Sequence, residues 1–222
     1  MSAAGSGVAV YAEGQDLGEL FDVYLPPAAL GVQETPPRPT GVTRPRSAVH
    51  RDGDWHRAVH VWLVNDKGEL LLQRRSHFKD TFPDKWDVSV GGHLTSGDGS
   101  LETAIKEVAE ELGLSVAAAD LRLLFTVATS AEGETSRHGI FCCNEYKDVY
   151  ITTAFNGPAN ALKAAPGEVS ELRWLEWRAV AAAMRAGEGG SGGGCDPAYV
   201  PRAAAYVDAL AAELAVMTGS GS

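Results

Sequence analysis

Residues 92–114 read GHLTSGDGSLETAIKEVAEELGL. From Ser100 to Leu112 the apolar residues recur with helical spacing, and Leu101, Ala104, Ile105, Val108 and Leu112 form one stripe. Gly113 supplies the stop, because glycine enters the left-handed conformation that closes a helix. At about 100° per residue, Glu107, Glu110 and Glu111 share an arc of roughly 100° beside that stripe. Like charges at this spacing weaken a helix unless a cation lies between them. Oxygen-only clusters of this kind suit Mg2+ or Mn2+. A solvated charged face is the ordinary meaning of three glutamates on a helix; the residues in front of them tip the reading toward a metal site.

The spacing runs Gly92, five residues, Asp98, seven residues, Lys106-Glu107-Val108, one residue, Glu110-Glu111, one residue, Gly113-Leu114. It resembles the Nudix box along its whole length. The resemblance implies an α/β fold, the Nudix α/β/α sandwich with a mixed central sheet. It also implies that Glu107, Glu110 and Glu111 are catalytic metal ligands, with the carbonyl beside Gly91 and Gly92 completing the shell. Mg2+ is the implied cofactor, with Mn2+ as an alternative. Asp98 stands where the family usually has Glu, and Lys106 where it has Arg. Lysine does not clamp a carboxylate bidentately as arginine does, so slower chemistry is expected, not its absence.

Outward from the box, the runs HRDGDWHRAVH (50–60), LLLQRRS (70–76) and FPDKWDVSVGGH (82–93) look like the branch of Nudix proteins related to isopentenyl-diphosphate isomerase. This similarity covers roughly Phe21 to Trp177. In the isomerase three histidines and two glutamates hold a metal; the matching positions here are His50, His56, His93, Cys143 and Glu145. That implies a second metal site lacking one carboxylate, against the plainer reading of His50 and His56 as polar loop residues. Arg75 and Lys79 match positions that contact phosphate, with Arg74 and Lys85 nearby as ordinary surface charge. Glu145 is also a candidate for the additional acid that the family places near its metals. The isomerase cysteine corresponds to Gly91, which closes isomerisation by that route. His60 reads as a satisfied sheet residue, and Trp86 and Phe82 as core packing.

Four segments follow from the composition along the chain. Residues 1–47 form a Pro-rich N-terminal arm with a short strand at Leu20 to Leu25, and residues 48–186 the Nudix hydrolase domain. Residues 187–194, GEGGSGGG with its first glycine at 187, form a linker, and residues 195–222 a helix from Tyr199 to Met217 with a tail. Ala58 to Val64 and Glu69 to Arg75, joined by a turn at Gly68, predict a hairpin. Strands are predicted at Trp86 to Val90, Leu121 to Thr129, Glu145 to Phe155 and Leu172 to Leu175, and a helix over Arg178 to Ala186.

The chain has 222 residues, 45% of them hydrophobic, and a formal net charge of −10. That balance argues against nucleic acid as a partner. Three cysteines, Cys142, Cys143 and Cys195, make no disulfide framework. No apolar run reaches the roughly 18 residues of a membrane span, and residues 1–37 hold no Lys or Arg. A cytoplasmic protein with no membrane partner is expected. The expected activity is Mg2+-dependent hydrolysis of a phosphoanhydride bond in a nucleoside diphosphate or a related diphosphate-linked small molecule. An isoprenoid diphosphate hydrolase, an isomerase-like enzyme and a weakly catalytic diphosphate sensor are the alternatives. A homodimer through the arm or the C-terminal helix is left open.

Overall fold

The computed structural model describes residues 19–79, 81–135, 139–165, 167–185 and 195–219. The glycine-rich segment 187–194 lies outside the described residues, as do residues 1–18 of the arm and 220–222 of the tail. Fourteen strands and α-helices order the described chain. They are β1 (Leu20–Tyr24), β2 (Gly31–Gln33), β3 (Pro39–Pro45), α1 (Arg46–Asp52), β4 (Trp55–Leu63), β5 (Glu69–Arg75), β6 (Trp86–Asp87), β7 (Val90–His93), α2 (Ser100–Leu112), β8 (Arg122–Thr135), β9 (Gly139–Thr152), β10 (Val169–Glu176), α3 (Trp177–Met184) and α4 (Ala204–Met217).

A larger mixed sheet runs β2-β8-β9-β4-β1-β3, with β7 also paired to β4, and a three-stranded sheet runs β10-β5-β6. The parallel pair β4–β9 sets Trp55 to Leu63 against Asn144 to Thr152. Alternation along β4 and β5 explains the layers, because successive side chains point to opposite faces. Val59, Val61, Leu63 and Leu71 pack with Ala104, Val108 and Leu112 of α2. Trp62, Val64, Leu70 and Leu72 pack on the other face with Trp177, Val180 and Met184 of α3 and Val207, Leu210 and Leu214 of α4. The result is the α/β/α sandwich. Among the described residues no helix is long and apolar enough to cross a membrane.

Helix α2 spans the predicted Ser100–Leu112 and ends on Gly113 at φ 62. The expected strands at Leu20, Leu121, Glu145 and Leu172 overlap β1, β8, β9 and β10, while several other local readings are corrected. β4 and β5 do meet at the predicted turn, through the Val64–Leu70 bridge, but then diverge into separate sheets. The run Trp86 to Val90 is divided between those sheets as β6 and β7. Ser89 sits at the division, accepting from Leu63 N at 2.9 Å and donating to Leu71 O. Helix α4 starts at Ala204 rather than Tyr199. Pro201 disfavours helical conformation in the residue before it, and Tyr199 instead bridges to Trp86. Phe82 is 43% exposed and outside the core, at φ 50. Residues 20–45 contribute β1 and β3, which pair with each other, and β2, which pairs with β8.

Candidate active site

The loop between β7 and α2 is pinned from the N-terminal side of the chain. Asp22 of β1 accepts from Ser96 Oγ at 2.6 Å and from Gly97 N at 3.1 Å, while Glu19 accepts from Thr95 Oγ1 at 2.7 Å. Glu102 reaches back to Gly99 N at 3.3 Å and opens the helix. Loop anchoring thus falls to Asp22 and Glu19, which the sequence pattern did not single out.

The three box glutamates are placed differently. Glu107 lies over Gly92 so closely that a Cβ there would sit 2.6 Å from Glu107 Cγ. Burial, followed by the charge of Glu110, raises its carboxyl to about 7; exposed Lys106 pulls the other way. Glu111 is buried and accepts from Gln73 Nε2 at 2.7 Å. Burial, with Glu107 next, raises it to about 8. Glu110 is exposed. Two carboxylates are therefore held in low dielectric against each other, a costly arrangement that a cation relieves.

Arg75 and Lys79 border this pair. Arg75 donates from Nε to Thr81 O at 2.9 Å, from Nη2 to Thr81 Oγ1 at 3.2 Å and from Nη1 to Asp87 Oδ2 at 3.2 Å. Burial lowers the Lys79 ammonium to about 8, Arg75 adding to the effect, while Glu111 and Glu107 oppose it. Lys79 pairs with Oε2 of Glu168, whose Oε1 is buried with no hydrogen-bond partner in the structure. Glu168 is held beside the end of α2: Ala165 N donates to Glu111 O at 2.9 Å, and Ser76 N to Glu168 O at 2.9 Å. Nothing in the local sequence marks Glu168 out, an acid in a turn ahead of a strand.

A second cluster gathers the residues assigned through the isomerase resemblance. His50 comes from α1, His56 from β4, His93 from β7, and Cys143 and Glu145 from β9. The ligand atoms of His50, His56 and Cys143 lie within 4.8 Å of one another, as do those of His56, His93 and Glu145. Phe21 stacks on His56 and on His93 at 5.3 and 5.1 Å. Burial lowers His50 to about 4 and His93 to about 3, and raises the Cys143 thiol. Against its burial, Lys147 first, with the His93 hydrogen bond, holds Glu145 well below the carboxylate range.

Tautomers follow from the partners of each ring. His50 Nδ1 is 3.0 Å from Arg46 O and His56 Nδ1 3.1 Å from Asp54 O, so both carry their proton on Nδ1 and present Nε2 as a lone pair. His56 Nε2 is buried without a hydrogen-bond partner. His93 differs. Arg46 Nη1 lies 3.2 Å from its Nδ1 and can only donate, so Nε2 carries the proton and donates to Glu145 Oε1 at 2.8 Å. Glu145 has its other oxygen paired with Lys147, which donates to Thr129 Oγ1 at 2.6 Å. His60 is satisfied, as the sequence implied: its Nδ1 is 3.0 Å from Tyr206 Oη.

The sequence profile of the NUDIX domain matches residues 54–191. The chain belongs to the Nudix family. It is 38% identical over 164 residues to Nudix hydrolase 3 of Arabidopsis thaliana, a stretch that is 73% of this chain and 20% of that protein. It is 32% identical over 136 residues to a Nudix hydrolase of Deinococcus radiodurans, covering 61% of this chain and 72% of the relative. It is 31% identical over 144 residues to an isopentenyl-diphosphate Delta-isomerase of Nocardia farcinica, covering 62% and 76%. Several curated relatives are matched over less of their length, from 20% to 52%. Asp22, Glu19, Arg46 and His50 precede the matched Nudix segment, and Arg202 and Tyr206 follow it, yet all six touch residues within it or next to its site.

Proposed function

We propose that this Nudix domain hydrolyses a phosphoanhydride bond in a nucleoside diphosphate or a related diphosphate-linked small molecule, with Mg2+ as cofactor. The observation that carries the reading is the close pair of carboxylates, Glu107 packed against Gly92 and Glu111 buried behind it, beside Lys79 and Arg75. Their all-oxygen donor set fits a hard divalent cation, and the raised carboxyls are the sign of charge awaiting compensation. Glu107, Glu111 and the exposed Glu110 would hold it, with the Gly91 carbonyl as a further donor. The bound cation would supply Lewis-acid stabilisation of charge on the diphosphate oxygens.

The chain's own residues do the rest. Arg75 and Lys79 bind phosphate oxygens and align the diphosphate across the end of α2. Glu168 is better placed than Glu145 to take the proton of the attacking water, because its Oε1 is free whereas both Glu145 oxygens are engaged. Gly91 offers no side chain at the position of the isomerase nucleophile, which favours hydrolysis over isomerisation. His50 and His56 offer a second, nitrogen-rich cation site with Cys143, supported by the orphaned Nε2 of His56; Glu145 groups instead with His56 and His93.

Release of phosphate, read directly or after phosphatase treatment, is the test over nucleoside, sugar and isoprenyl diphosphates with Mg2+. Turnover of one class names the substrate, and saturable binding without turnover would support the sensor instead. A Glu110→Gln variant as fast as the parent would sink the metal assignment.

A further inference from the structure

Asp87 of β6 is shared by two arginines, one on each carboxylate oxygen. Its Oδ2 accepts from Arg75 Nη1 at 3.2 Å and its Oδ1 accepts from Arg202 Nη2, with Val88 N also donating to Oδ1 at 2.8 Å. Arg202 lies just ahead of α4. Its backbone N donates to Met184 O at 2.7 Å, its guanidinium lies over the Tyr206 ring at 5.8 Å, and its side chain is 12% exposed. Among the described residues Asp87 is the one carboxylate that pairs with it. His60 beside it is kept neutral, by burial first and by the charge of Arg202 next.

Two guanidiniums on one carboxylate leave a net positive charge. Arg202 is the less exposed of the two, 12% against 18%, and lies away from the glutamate pair, so the surplus is presented by Arg75 at the edge of the site. Of the five N–H donors of Arg75, the contacts described use three, which leaves one on each terminal nitrogen for an anion. If Asp87 answered to Arg75 alone, the pair would be neutral and the carboxylate would compete with phosphate for the same guanidinium.

We propose that Arg202, carried by the C-terminal segment, is a positioning residue for the diphosphate site: by drawing on Asp87 it leaves the positive charge of Arg75 uncompensated toward the substrate, while Asp87 still fixes the guanidinium in place. The proposal rests on the reading of Arg75 as a phosphate ligand. It makes the segment after the glycine-rich stretch a working part of the site. The segment is seated by Tyr206 and Arg202 and by the pairing of Tyr199 and Val200 with Trp86.

The test is the dissociation constant of inorganic pyrophosphate with Mg2+, read by calorimetry on the full chain, together with kcat and KM on whichever diphosphate is turned over. Arg202→Met should weaken pyrophosphate binding and raise KM by about tenfold, with kcat nearly unchanged. Arg202→Lys should restore most of the affinity. The double variant Arg202→Met with Asp87→Asn should do so as well, since it removes the carboxylate that Arg202 held in check. A purely structural Arg202 would leave the double variant no better than the single one, which would overturn the proposal, as would parental affinity in Arg202→Met. Arg75→Met separates the two readings. If it weakens pyrophosphate binding while Arg202→Met does not, only the positioning role falls; if neither variant weakens binding, the phosphate assignment of Arg75 falls with it.

Discussion

Gly92 and Glu107 occupy one another's space: a methyl group on Gly92 would overlap the Glu107 side chain. Gly92 is required for this close approach rather than for its backbone angles, since its φ lies outside the left-handed region. Gly92→Ala should push Glu107 off the site and lower metal affinity and turnover by about 10–100-fold, the usual cost of misaiming a ligand. Titration of Mn2+ by paramagnetic resonance alongside a circular-dichroism spectrum checks this. Unchanged Mn2+ affinity would refute it.

Stability should depend on pH in a defined window. Glu107 and Glu111 sit at about 7 and about 8, above the ordinary 4.5, so the folded chain binds more protons than the unfolded one and loses stability as pH rises to about 8. His50 and His93, lowered to about 4 and about 3 from 6.5, act in the opposite direction, but only below pH 6.5. Lys79, lowered to about 8 from 10.5, adds stability with pH only above 8. Between pH 6.5 and 8 the glutamates act alone, and the melting temperature should fall, by roughly 2–4 °C per kcal/mol lost. Mg2+ should reverse the fall at pH 8, as scanning fluorimetry with and without chelator would show. A melting temperature that rises through the window would count against the buried pair.

Glu168→Gln should reduce kcat by about 10²–10⁴-fold while changing KM little, the range for removal of a general base. Glu145→Gln should lower kcat by less. If the larger loss follows Glu145 instead, the proton acceptor is there.

Tyr206→Phe removes one hydroxyl that serves both His60 Nδ1 at 3.0 Å and Trp62 Nε1 at 2.9 Å. Leaving these groups buried and unpaired should cost about 1–3 kcal/mol by urea denaturation. A cost near zero would mean that water replaces the hydroxyl.

The predicted helix matched α2 at both ends because every signal for it is local: a 3.6-residue stripe and glycine at the stop. Strand stretches were legible for the same reason. Which sheet each strand joined was not. The β4–β5 turn reads as a hairpin, and the divergence behind it depends on Ser89 bonding to both Leu63 and Leu71. The start of α4 was misplaced because the apolar spacing carries back past Pro201, while the pairing of Tyr199 with Trp86 is invisible in a local window.

The sequence by itself determined the glycine-to-glutamate spacing, the acidic balance and the glycine where an isomerase has its nucleophile. Through resemblance it also assembled the His50, His56, His93, Cys143 and Glu145 set. Tertiary structure alone decided that Glu107 and Glu111 are enclosed while Glu110 faces solvent, that Glu145 is already engaged, and that Glu168 keeps an oxygen free. It also joined Asp22 to Gly97 across 75 residues and Arg202 to Asp87 across 115. The reason is that side-chain periodicity is set by neighbours along the chain. Burial and charge pairing, which set the protonation of each carboxylate and the partner of each guanidinium, depend on groups brought near only when the sheets and helices close.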